Sequence, residues 1–170
     1  MLLRQSYLAQ RYLVSMSNLA DISKLNIESI VEPGALFKMH VKGHSMLPLL
    51  GFGDDEIVLR RTYTEDEIMG RIAMFRADDG HIIVHRVIDV SNGIVTLRGD
   101  GNLIQCERCK REEIIGVVES VVRSNGKSVS CTTRSWRCKE RLWLGTPRIV
   151  RRYVLAILRR LSNMKRKKRG

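Results

Sequence analysis

The run Ile82-Ile83-Val84-His85-Arg86-Val87-Ile88, followed by Asn92-Gly93 and then Ile94-Val95-Thr96-Leu97, decides the fold class. Both arms are rich in β-branched residues, which fit the half-buried surface of a pleated sheet. Asn-Gly between them tolerates the positive φ angles of a tight hairpin turn, so the segment reads as two antiparallel strands. The pattern recurs on both sides: Asp79-Gly80 separates Ile72 to Phe75 from Ile82 to Ile88, and Asn125-Gly126 follows Ile114 to Val122. Ile57 to Leu59 adds a further short apolar segment. Upstream, Phe37, Met39 and Val41 alternate with Lys38, His40 and Lys42, the period of a strand with one buried face. The expected fold is mostly β, a twisted, partly closed antiparallel sheet assembly.

Both ends read differently. Residues 1–34 carry apolar side chains at loosely helical spacing until Pro33-Gly34 stops them, which predicts an N-terminal helical segment. From Trp136 the period is helical again. Val150, Val154, Ile157, Leu161 and Met164 recur at intervals of four and three, with Arg148, Arg151, Arg152, Arg159 and Arg160 between them, a basic amphipathic helix. The five consecutive positive charges from Lys165 to Arg169 repel one another and are expected to be disordered in isolation. A chain of 170 residues holds one core and a tail. The division is 1–34 helical, 35–133 β domain and 134–170 basic tail.

The formal charge of +12 is unevenly spread. Residues 134–170 hold fourteen Lys/Arg against the single Glu140, leaving sixteen basic and seventeen acidic residues before them. The β domain is thus electrically balanced, which argues against nucleic acid as its partner. Arg4 and Arg11 interrupt any signal-peptide core of about 7 to 15 apolar residues. The longest apolar run of the tail, Tyr153 to Leu158, falls short of the roughly 20 residues that cross a bilayer. A cytoplasmic protein is expected. Arginines, apolar residues and the tryptophans Trp136 and Trp143 in the tail point to peripheral contact with the inner face of an anionic membrane, the alternative being a helix packed on the domain. The four cysteines (Cys106, Cys109, Cys131, Cys138) lack the spacing of a zinc ribbon and read as reduced thiols, so no metal and no other cofactor is expected.

One segment carries chemistry. In Gly43-His44-Ser45-Met46-Leu47-Pro48-Leu49-Leu50, a glycine lets the backbone turn sharply before a serine, while Met46 and Pro48 fix the turn that exposes the hydroxyl. This string resembles the Ser-Met-x-Pro box of signal peptidases and of the self-cleaving repressors of the SOS response. Ile83 to Ile88, about 40 residues later, and Leu97-Arg98-Gly99-Asp100-Gly101-Asn102 resemble family motifs in the same order. His85 stands where bacterial signal peptidases generally have lysine and where archaeal and endoplasmic-reticulum enzymes have histidine. The resemblance runs from Phe37 to Val122, and the whole chain is similar to small histidine-type signal-peptidase-like proteins of Bacteroidetes.

The resemblance implies a serine endopeptidase acting on a peptide or protein. Ser45 would be the nucleophile and His85 the base, a role that suits histidine as a residue type. By the same resemblance Asp100 would accept the second imidazole N–H and orient the ring. Asp before Gly is also a common turn residue, so the turn reading of Asp100 stands beside it. The Ser45 backbone N–H would bind the oxyanion, with a second donor from elsewhere, since Gly43 offers no hydroxyl. Gly70-Arg71 departs from the Gly-Asp common in relatives, and no membrane-spanning segment accompanies the motifs. The rival reading is a non-catalytic module that keeps the fold and uses the tail for membrane, protein or nucleic-acid partners. His40, His44 and His81 read as structural or rim residues.

Overall fold

A computed structural model describes residues 14–16, 34–41, 43–51, 55–61 and 68–167. Among the described residues nine strands, β1 (Val14–Met16), β2 (Leu36–His40), β3 (Glu56–Arg60), β4 (Ile72–Arg76), β5 (Ile82–Ser91), β6 (Ile94–Arg98), β7 (Glu107–Lys110), β8 (Ile114–Val122) and β9 (Ser128–Ser130), precede two α-helices, α1 (Arg134–Gly145) and α2 (Arg148–Lys167). The order in the sheet is β1-β2-β3-β8-β4-β5-β6-β7, with β9 on β8. All pairs are antiparallel except β1 with β2. The sheet is not closed: β1 and β7 are its two ends, a correction to the partly closed assembly expected above. Val14–Met16 is a strand where a helical segment was expected. Apart from Gly34, the rest of that segment lies outside the described residues.

The three dipeptides make their turns. Gly80, Asn92, Gly93 and Gly126 all take positive φ, between β4 and β5, β5 and β6, and β8 and β9. Strand β4 explains the depth of the core. Ile72 and Met74 join one buried cluster with Phe37, Ile57, Val121 and Trp136. Ala73 and Phe75, on the opposite face, join another with Val87, Val95, Leu97 and Val117. Period-2 alternation thus puts a core on each side of the sheet, which is why Ile72 to Phe75 is apolar without interruption.

The tail is two helices, broken at Pro147. Thr133 caps α1 by accepting from Trp136 N–H. Both tryptophans are buried, Trp136 in the first cluster and Trp143 against Leu47 and Leu155, so neither is the interfacial residue expected from the sequence. Helix α2 continues to Lys167, into the basic run expected to be disordered.

All four cysteines are free; Cys109 and Cys131 are buried while Cys106 and Cys138 are exposed. Burial first, and the negative charges of Glu113 and Asp78 around Cys109 and of Glu140 near Cys131, push both buried thiols up to about 12. At pH 8 only about one part in 10⁴ of such a thiol is thiolate, the reactive form. Ellman's reagent at pH 8 is therefore expected to titrate two thiols rapidly in the native protein and all four after unfolding. Loss of the rapid phase in a Cys106→Ser, Cys138→Ser variant checks the assignment.

Candidate active site

Ser45 sits in a compact turn after Val41. Leu47 N–H donates to the His44 carbonyl, and Leu49 and Leu50 N–H both donate to the Met46 carbonyl. Met46, Leu47, Leu49 and Leu50 are buried, Ser45 is exposed, and the Leu47-Pro48 peptide is cis. The apolar residues pin the turn to the core, and the serine is what they leave outside. Gly51, with φ +93°, closes the turn; a Cβ there would stand 2.6 Å from the Gly43 carbonyl oxygen.

The loop Gly99 to Asn102 lies against this turn, backbone to backbone. Gly101 N–H donates to the Ser45 carbonyl at 2.7 Å. A Cβ on Gly101 would lie 2.7 Å from the His44 carbonyl oxygen. One on Gly99 would lie 2.5 Å from the Ser45 carbonyl oxygen and 3.0 Å from His85 Nε2. The imidazole nitrogen and the Ser45 carbonyl therefore both close on Gly99, leaving less than the room of a methyl group between them. Among the described contacts no hydrogen bond joins the Ser45 hydroxyl to His85.

His85 is buried on β5, 5% exposed, with its ring near Phe75. Its Nδ1 is 2.6 Å from Glu107 Oε2, on β7. The sheet register explains this contact. Val87 pairs with Leu97 and Leu97 with Glu107, so all three share a face, and His85 lies two residues from Val87 on that face.

Asp100 is not the partner of His85, which corrects the role that the family resemblance gave it. Its two carboxylate oxygens are held by Arg86, Nε at 2.8 Å and an Nη at 2.7 Å, and the residue is 2% exposed. Neighbouring strand residues point to opposite faces, so a carboxylate that meets Arg86 is on the wrong side of β5 for His85. Arg86 also donates to Glu140 on α1 and to the Gly70 carbonyl. Burial opposes the guanidinium charge, yet the Asp100 and Glu140 carboxylates outweigh it and hold the group above the ordinary arginine value. Glu107 is two residues from the buried Cys109 on β7, so strand alternation turns it to the same inward face, a relation that spacing from an apolar Cys109 signals in the sequence.

The other histidines stand apart from this arrangement. His81 is exposed and pairs with Asp79 at 3.0 Å, and the His81 backbone N–H and ring hold the Asp79 carboxyl below its usual value. His40 and His44 are half-buried, each with a partner of its own. No group of three or more His, Cys, Asp or Glu is placed to hold a metal among the described residues.

A groove of about 130 Å³ runs beside Ser45, lined by Val41, Met46, Leu50, Ile82, Ile83 and Val84 among others. Backbone direction along β5 gives it polar groups. Val87 N–H donates to the Arg71 carbonyl, and the Val87 carbonyl accepts from Gly70 N–H. Alternation then turns the N–H and C=O groups of His85 and Ile83 toward β4 and those of Val84 and Ile82 the other way. On that other side the pairing of β5 with described strands begins only at Arg86.

Comparison with protein families and with curated protein sequences finds no match to this chain.

Two substitutions separate architecture from chemistry. Asp100→Asn removes one partner of a buried ion pair, and such losses cost about 3 kcal/mol or more; urea unfolding is expected to show a lowered midpoint with an unchanged slope. Glu107→Gln, at a half-buried position that can keep a hydrogen bond to the ring, is expected to cost under about 1.5 kcal/mol.

Proposed function

We propose that this protein is a serine endopeptidase of the signal-peptidase type, with Ser45 as nucleophile, His85 as general base and Glu107 as the carboxylate that orients His85. The observation that carries this reading is the two-sided placement of the imidazole, with Nδ1 on Glu107 and Nε2 turned to the side of Gly99 on which the Ser45 carbonyl also lies. A carboxylate on Nδ1 selects the tautomer whose Nε2 lone pair is free to accept a proton, and stabilises the imidazolium once it has. Ser45 Oγ attacks the substrate carbonyl as its proton passes to Nε2, giving a tetrahedral oxyanion that the Ser45 backbone N–H stabilises. The C–N bond then breaks, the imidazolium protonates the leaving amine, and the same base activates a water that hydrolyses the acyl-enzyme. A shift of the Ser45 side chain or the arrival of substrate would close the remaining distance, since catalytic hydrogen bonds commonly tighten only in the complex.

The outward backbone groups of Ile82 and Val84 support an extended peptide as substrate. Such a peptide would add as a strand beside Ile82 to Val84, on the side of β5 that no described strand pairs, with its carbonyl beside Ser45. The groove of about 130 Å³ favours a small side chain next to the scissile bond.

A non-catalytic peptide-binding module is favoured by one observation, the missing Ser45–His85 hydrogen bond. A fluorophosphonate probe separates the two readings. Expected are covalent labelling of the wild type, its loss in Ser45→Ala and in His85→Ala, and no further loss in the double variant, because residues acting as a unit are not additive. Glu107→Gln is expected to slow labelling by about 10²-fold or more while the fold persists. Wild type that resists the probe while still binding peptide at the β5 edge supports the module instead.

A further inference from the structure

Helix α2 has two faces, and the domain uses one of them. Arg151 and Leu155 are buried and Val154 and Leu158 half-buried; Leu155, Val154 and Leu158 pack on Leu47, Leu103 and Trp143. On the same side Arg148, Arg151 and Arg159 donate to the carbonyls of Leu103, Asp100 and Gly101. At about 100° per residue, Ile149, Val150, Tyr153, Ile157, Leu161 and Met164 gather on the opposite arc, about 120° wide. These six side chains are between 46% and 72% exposed. The stripe read from the sequence is thereby corrected, because Val154 turns toward the domain while Ile149 and Tyr153 join the outer face.

An apolar face of this extent calls for a cover, and charge selects it. Residues 134–170 carry fourteen Lys/Arg and one Glu, so a second copy of the helix would bring like charges together. An anionic surface would neutralise them. We infer that α2 is an interfacial helix whose outer face lies in the headgroup region of an anionic lipid bilayer, with the exposed Arg152 and Arg160 among the lipid phosphates. Its inner face remains docked on the loop around Asp100. Long arginine side chains can keep their charge in the polar layer while the adjoining Ile and Leu enter the acyl boundary. No described helix is long and apolar enough to cross a membrane, so the contact lies along the surface. This inference is independent of any chemistry at Ser45.

Cosedimentation of the full chain with phosphatidylglycerol/phosphatidylcholine vesicles and with pure phosphatidylcholine vesicles tests it. Expected is binding to the anionic vesicles that weakens severalfold between low and high salt, with little binding to neutral ones. The variant Tyr153→Ser, Ile157→Ser, Leu161→Ser keeps every charge, and its partitioning is expected to fall at least tenfold, with a circular dichroism spectrum like that of the wild type. A single substitution, Ile157→Ser, with an intermediate loss serves where the triple variant does not fold. Unchanged partitioning in the folded variants would overturn the inference, leaving charge alone as the attraction. Absence of binding to anionic vesicles at low salt would overturn it too, as would a lipid-free dimer that the serine substitutions dissociate.

Discussion

The carbonyl of Ser45 accepts a hydrogen bond from Gly101 N–H at 2.7 Å, and the clearance on either side of that bond leaves no room for a Cβ at Gly99 or Gly101. Two loops far apart in sequence are thereby held at backbone contact distance, which glycine alone permits without displacement of one loop. Between these glycines, Asp100 ties the loop to the rest of the fold. Its carboxylate holds Arg86 of β5, and its carbonyl accepts from Trp143 Nε1 and Arg151, both at 3.0 Å. Asp100 thus contributes through position, by fixing the loop on which the serine turn rests, and leaves the imidazole to Glu107.

Arg86 and Arg151 show two ways of burying a cation. Arg86 meets two carboxylates, so its desolvation is more than compensated. Arg151 has carbonyl and aromatic partners, the Asp100 carbonyl and the Trp143 ring at 5.0 Å, and its Nε is buried without a hydrogen-bond partner. Burial first, and the nearby charge of Arg98, lower its proton affinity. A buried guanidinium without a carboxylate is expensive, so the docking of α2 by this residue is weaker than the Arg86 anchor of α1.

The hairpins were legible because Asp-Gly and Asn-Gly state a local requirement, positive φ, that needs no tertiary information. The exposed serine was legible for a similar reason: Met46, Leu47, Leu49 and Leu50 surround it with side chains that must go inward. The partner of His85 was not. It depends on two successive strand registers, Val87 with Leu97 and Leu97 with Glu107, and periodicity within a strand carries no register between strands. Asp100 misled because it follows the motif in sequence, whereas the pleat sends His85 and Arg86 to opposite faces and gives the nearer acid to the wrong neighbour. Closure of the sheet was equally out of reach, since it depends on which strands stand at the ends.

The tail shows why a helical period alone cannot say which side is covered. Val150, Val154, Ile157 and Leu161 form one stripe by spacing, but apolar residues occupy most of the circumference of α2, and the docked arc is chosen by the arginines. Arg148, Arg151 and Arg159 reach carbonyls of the loop from Asp100 to Leu103, which turns Leu155 and Leu158 inward and leaves Ile149, Tyr153 and Ile157 outside. The carbonyls of Asp100 and Gly101 that these side chains grip flank the N–H that holds the Ser45 carbonyl. Whatever covers the outer face of α2 is therefore connected to the serine turn through one helix, about 10 Å across, and one glycine-bounded loop. A surface holding that helix would hold Ser45 near a fixed distance from itself, because the links between them are hydrogen bonds to backbone carbonyls together with the packing of Leu155 on Leu47 of the serine turn.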